Sequence, residues 1–143
     1  MKQLIAVMIG LWITSSVFAQ TNSGWVPIHL TVSGYNMQDG VEAFFQLNKC
    51  NEEDVVFLKL INHNADAVTV EWTDAIFTKE LKWVSKENAT ERKSLTINAN
   101  ETVQGDCLRI DQSKLVVKIN DFIKKTDDFK LYGTTFFQVT FKN

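Results

Sequence analysis

Cys50 and Cys107, His29 and His63, and the acidic run Glu52, Glu53 and Asp54 are the side chains from which a reactive centre would have to be assembled. Thiolate catalysis needs a base close to the sulfur, and neither cysteine has a histidine near it in sequence. His29 falls on the polar side of an alternating run and His63 in an asparagine-rich turn, so the two define no common base or ligand set. Three consecutive acids do not reproduce the alternate oxygen positions of a calcium loop, and they read as a solvated hairpin tip. The chain has no H-E-x-x-H, no G-x-S-x-G and no glycine-rich phosphate loop. On this reading no catalytic residue, metal or cofactor is assigned, and a small hydrolase with an unrecognised site is kept only as the third function behind two binding roles.

The amino-terminal residues carry an address instead of chemistry. Lys2 precedes an apolar run at residues 4–13, and small residues follow up to Ala19, with Val17 and Ala19 at the −3 and −1 places before a cut at Gln20. The apolar run is well short of the roughly 20 residues that a membrane-spanning helix requires. Residues 1–19 are therefore expected to be a cleaved signal peptide and residues 20–143 a single domain, secreted or periplasmic, with no transmembrane segment in the mature chain. No cysteine follows the cut, which argues against a lipid anchor. Cys50 and Cys107 are then expected to form one disulfide in an oxidising compartment, worth roughly 4 kcal/mol if the bridge acts by constraining the unfolded chain.

Loss of residues 1–19 removes one lysine and no acid, leaving 14 basic against 17 acidic residues, a formal charge of −3. The lysines are scattered, and the densest group, Lys124, Lys125 and Lys130, is interrupted by Asp127 and Asp128. A nucleic-acid surface concentrates its cations on one face, so nucleic acid is excluded as a partner.

The elements that must position any site are short and extended. Val26, Ile28, Leu30 and Val32 alternate with His29 and Thr31. Val41, Ala43, Phe45 and Leu47 alternate with Glu42, Gln46 and Asn48, although Val41, Phe44 and Phe45 would also suit a helical stripe. Further runs lie at residues 55–61, at Val68, Val70 and Trp72, around Phe77, Leu81 and Trp83, at Leu95 and Ile97, at residues 103–110 including Cys107, at Leu115, Val117 and Ile119, and at Phe137, Val139 and Phe141. Asparagine, aspartate and glycine separate them. Evenly spaced short strands of this kind predict an all-β, antiparallel sandwich or small barrel.

The order Cys50, Trp72, Cys107 on this pattern resembles the Cys, Trp, Cys series of immunoglobulin-like domains. The likeness is architectural and covers most of residues 20–143. Cys50 stands at a turn instead of within a strand, and Gly105 occupies the place of the tyrosine expected two residues before the second cysteine. The resemblance implies an immunoglobulin-like or fibronectin-like β-sandwich of about seven to nine strands, similar to those of small exported bacterial proteins.

Function is then expected to lie on a surface. Residues 55–61 are apolar on both faces, with Val55, Phe57 and Ile61 around Lys59, and Phe44 and Phe136 also fall opposite the apolar sets of their strands. Phe44, Val55, Phe57 and Phe136 are the candidates for a partner surface, facing an unknown protein or a surface glycan, with a homodimer as another occupant. Trp72 and Trp83 are candidates for stacking on sugar rings, which would make the domain a carbohydrate-binding module. The leading expectation is an exported, non-enzymatic binding or protein-interaction module.

Overall fold

A computed structural model describes residues 24–30, 35–86, 92–109 and 113–142. The expected signal segment, residues 1–19, and the cut at Gln20 lie outside the described residues, as does Val32 of the first predicted strand. Among the described residues the chain forms ten strands, β1 (Val26–Pro27), β2 (Met37–Gln38), β3 (Val41–Cys50), β4 (Glu53–Asn62), β5 (Val68–Thr78), β6 (Trp83–Ser85), β7 (Lys93–Ile97), β8 (Thr102–Gln104), β9 (Val116–Lys118) and β10 (Phe129–Phe141). The only helical elements there are single 3₁₀ turns, so the all-β expectation stands.

Two tight turns set the first sheet. Asp39 and Gly40 (φ 46° and 76°) join β2 to β3, and Asn51 and Glu52 (φ 48° and 67°) join β3 to β4. Two consecutive positive φ angles give the turn whose twist matches that of the flanking strands. The second turn fixes a ladder from Cys50↔Glu53 to Val41↔Asn62. Residues 41–47 are thus strand and not helix: alternation buries Val41, Ala43 and Phe45 and leaves Glu42, Phe44 and Gln46 half-buried. Sheet A is completed by β1 and β2 along β3, and by β8 and β9 along β4.

Sheet B is built on β5, with β10 along one edge and β6 and β7 along the other; every ladder in both sheets is antiparallel. The inner faces share one core, to which sheet A contributes Val41, Ala43, Phe45, Val56, Leu58 and Leu60, and sheet B contributes Val68, Val70, Trp72, Ile76, Tyr132, Phe137 and Val139. Asn62, fully buried at the end of β4, pins one corner. Its amide nitrogen reaches the carbonyls of Asp66, Ile97 and Asn98 at 2.9, 3.2 and 3.0 Å, and its oxygen accepts from the Asn64 backbone at 3.0 Å.

Several expected boundaries move for physical reasons. The run expected from residue 103 to 110 ends at Gln104, and Cys107 lies in a 3₁₀ turn, Cys107–Arg109, shaped by its disulfide to Cys50 (Cα–Cα 5.4 Å). The bridge joins the end of β3 to the turn after β8, both strands belonging to sheet A, and does not tie one sheet to the other. Strand β10 starts at Phe129, well before the alternation at Phe137 is evident. Irregularities between Phe129 and Leu131 and between Thr134 and Phe136 shift its register and hide its period.

Candidate functional site

Phe44, Val55 and Phe57 lie on the outer face of sheet A, and that face is largely covered. Val55 and Phe57 are buried with Cys50 and Val116 in a second small cluster, against which Trp25 packs. The Lys59 ammonium sits between two rings, 4.7 Å from the centroid of Trp25 and 4.9 Å from that of half-buried Phe44. Strand β4 is therefore central and apolar on both sides because both sides are packed. Phe136 is elsewhere, on the outer face of sheet B, so the four residues do not form one surface.

Trp72 is inside the core, 1% exposed. Its indole N–H donates to Asp74 Oδ1 at 3.1 Å, and the Tyr132 hydroxyl donates to the same oxygen at 2.5 Å. Asp74 Oδ2 pairs with Lys93 Nζ at 2.7 Å. The alternation of β5 turns this carboxylate inward, where three donors offset its desolvation. Burial first, and then the neighbouring Asp74 charge, push the Tyr132 hydroxyl well above its ordinary pKa. The Lys93 ammonium also donates to the Lys114 carbonyl at 2.9 Å, and Lys114 Nζ donates to the Ser94 carbonyl, so two lysines clasp β7 to the segment before β9. Leu95, Arg109, Ser113, Lys114 and Leu115 line a pocket of about 330 Å³ beside this clasp. The Ser113 hydroxyl there accepts from the Leu115 backbone N–H at 3.1 Å. Both oxygens of Asp74 are committed, which suits a network that holds strands together.

The histidines stay apart. His29 is exposed, and His63 Nε2 lies 2.9 Å from Glu42, whose other oxygen accepts from Asn36 at 3.1 Å. The acidic run is divided between lysines: Asp54 lies 3.6 Å from Lys49 and Glu53 3.7 Å from Lys118, with Glu52 at the turn. No group of three or more His, Cys, Asp or Glu side chains that could hold a metal occurs among the described residues.

The outer face of sheet B is different. Trp72, Asp74 and Ile76 point inward, so Glu71, Thr73, Ala75 and Phe77 point outward together with their ladder partners. In successive rows these are Ser94, Glu71 and Gln138; Thr73 and Phe136; Ser85, Ala75 and Gly133; and Trp83, Phe77 and Leu131. Trp83 is 50% exposed, yet it is held: its ring centroid lies 5.0 Å from that of Phe77, and its six-membered ring reaches over β5 to Gly133. A Cβ at Gly133 would lie 2.5 Å from Trp83 Cη2, so only glycine leaves room for the indole there. Ala75, between them, is fully covered. Beside the indole, the Arg92 guanidinium stacks 3.8 Å from the Phe136 ring centroid.

Of the sequence-derived candidates, only Trp83 and Phe136 come together on an accessible face. Gly133 and Arg92 complete that face and were not anticipated. The glycine inside an otherwise apolar strand was a readable signal, whereas Arg92 had none. No protein-family model matches this chain, and neither curated proteins nor solved structures give a significant match.

Proposed function

We propose that this domain is an exported binding module that holds a carbohydrate on the outer face of sheet B, with Trp83 as the stacking ring. The observation that carries this reading is the half-exposed indole, seated on Gly133 and held against Phe77. A sugar ring presents an apolar C–H face to such a surface and directs its hydroxyls sideways to polar groups. Polar groups continue along the same face, with Glu71, Gln138 and Ser94 about 13 Å along β5 from the row under the indole and Thr69, Thr96 and Thr140 in the row beyond, within the span of a chain of sugars. A protein-docking face would open a continuous apolar patch, whereas in these rows Trp83 is the one large apolar side chain that is exposed, its neighbours Phe77, Leu131 and Phe136 being half-buried and Ala75 covered. The disulfide fits an oxidising destination, and no helix among the described residues is long and apolar enough to cross a membrane.

The test is a panel of soluble polysaccharides in affinity electrophoresis, comparing the oxidised protein with Trp83→Ala. Retardation by at least one glycan that disappears in Trp83→Ala, with an unchanged circular dichroism spectrum, supports the reading. Retardation that survives the substitution removes Trp83 from the account.

A further inference from the structure

We infer that the glycan bound on this face is anionic, carrying carboxylates as uronic acids do; the inference rests on the stacking reading above. It comes from two cations that flank the indole. The Arg92 guanidinium carbon lies over the ring of Phe136 in the row of Thr73, 3.8 Å from its centroid, and Lys130 Nζ sits 5.6 Å from the ring centroid of Phe77, which shares its row with Trp83. The rows of Thr73 and Phe77 are four residues apart on β5, or about 13 Å along the strand at about 3.3 Å per residue. The Trp83 ring reaches into the row between them, over Gly133.

Each cation is held against an aromatic face, and neither forms an ion pair with a described residue. Stacking occupies the flat side of the guanidinium and leaves its N–H donors at the rim, the planar fork that matches a carboxylate in bidentate fashion. Glu71 points to the same side without pairing with Arg92. A planar cation over one ring, the half-exposed indole and a second cation on the far side complement a chain of sugars that presents carboxylates on either side of the stacked ring. A neutral glycan would use the indole and make no use of either cation.

The experiment uses polygalacturonate, its fully methyl-esterified form, and a neutral β-glucan as probes, with oxidised wild-type protein, Arg92→Gln, Lys130→Gln and Trp83→Ala. Binding to polygalacturonate is expected to weaken about tenfold on esterification and on Arg92→Gln, to weaken less in Lys130→Gln, and to fall with added salt. Trp83→Ala should abolish it, with thermal unfolding confirming that each variant is folded. Equal binding of the esterified polymer or the neutral glucan, unaffected by Arg92→Gln but lost in Trp83→Ala, overturns the anionic ligand and leaves the stacking platform standing. Absence of binding to all three probes overturns the anionic ligand, and its persistence across a wider glycan panel removes the platform as well. A concentration-dependent dimer that Trp83→Ala dissociates overturns the inference by assigning the face to a second copy of the chain.

Discussion

The six-membered ring of Trp83 lies against Gly133 across the whole width of β5, close enough that a Cβ on Gly133 would sit 2.5 Å from Cη2 and 2.8 Å from Cζ3. Gly133→Ala should therefore lift the indole from its seat at a cost of about 1–3 kcal/mol, the range for overpacking a filled site. The check is a double-mutant cycle by urea denaturation: the penalty should largely vanish in a Trp83→Ala background, and an undiminished penalty would place the strain elsewhere.

Asp74 joins Trp72, Tyr132 and Lys93 below that face. Asp74→Ala leaves a lysine and two inward donors without their acceptor, and a loss of about 3–5 kcal/mol is expected. Exchanging the charged pair together, Asp74→Leu with Lys93→Met, spares the unpaired ammonium but still orphans the buried Trp72 and Tyr132 donors, so it should cost less than Asp74→Ala by the share due to the lysine alone. Equilibrium unfolding of the three proteins measures both values.

The raised pKa of Tyr132 gives a dependence on alkaline pH. The unfolded chain releases this proton near pH 10, while the folded protein, with the hydroxyl buried against Asp74, keeps it. Above that point the folded state binds more protons than the unfolded state, so stability falls as pH rises. The contribution is complete below about pH 10 and is lost as pH climbs toward the folded value. Unfolding curves from pH 9 to 11.5 should decline more steeply for the wild type than for Tyr132→Phe, and parallel declines would contradict the assignment.

Glu52 holds a φ of 67° at the tip of the β3–β4 hairpin, a conformation that glycine adopts without steric cost. Glu52→Gly should stabilise the domain by about 0.5–1 kcal/mol, seen as a raised melting temperature with the disulfide intact.

Reduction of Cys50–Cys107 tests a different scale. The bridge closes a loop of sequence separation 57, and its loss should cost about 2–5 kcal/mol. Because it links parts of sheet A only, the reduced protein is expected to keep its near-ultraviolet signal from the Trp72 core at low temperature and to melt earlier.

The strand pattern was legible where alternation was clean, as in Val41, Ala43 and Phe45, and where turn residues marked the ends, as at Asp39–Gly40. It was lost in β10, where Lys130, Gly133 and two register shifts break the period of two. Phe57 and Val55 looked like surface residues because sequence alone does not show that Trp25 and the disulfide overlie β4. Trp72 and Trp83 looked alike as isolated aromatics; one faces the core and the other faces outward because the alternation of β5 and its pairing with β6 decide the side. The inward turn of Asp74 could have been read from its place two residues after Trp72, but its partners Lys93 and Tyr132 lie on other strands and only the fold brings them near.

Strand β10 has a consequence for the order in which the domain can form. It pairs with β5 from Phe129↔Thr78 to Phe141↔Val68 and brings Tyr132, Phe137 and Val139 to the common core. Contacts between such distant parts of a chain form slowly, since loop closure must come first. A polypeptide threaded amino terminus first through an export channel would thus keep one edge of β5 unpaired and the common core incomplete until the residues of β10 had emerged. Translocation would precede folding, and the last strand to dock would be the one that carries Gly133 and Phe136 to the outer face of sheet B.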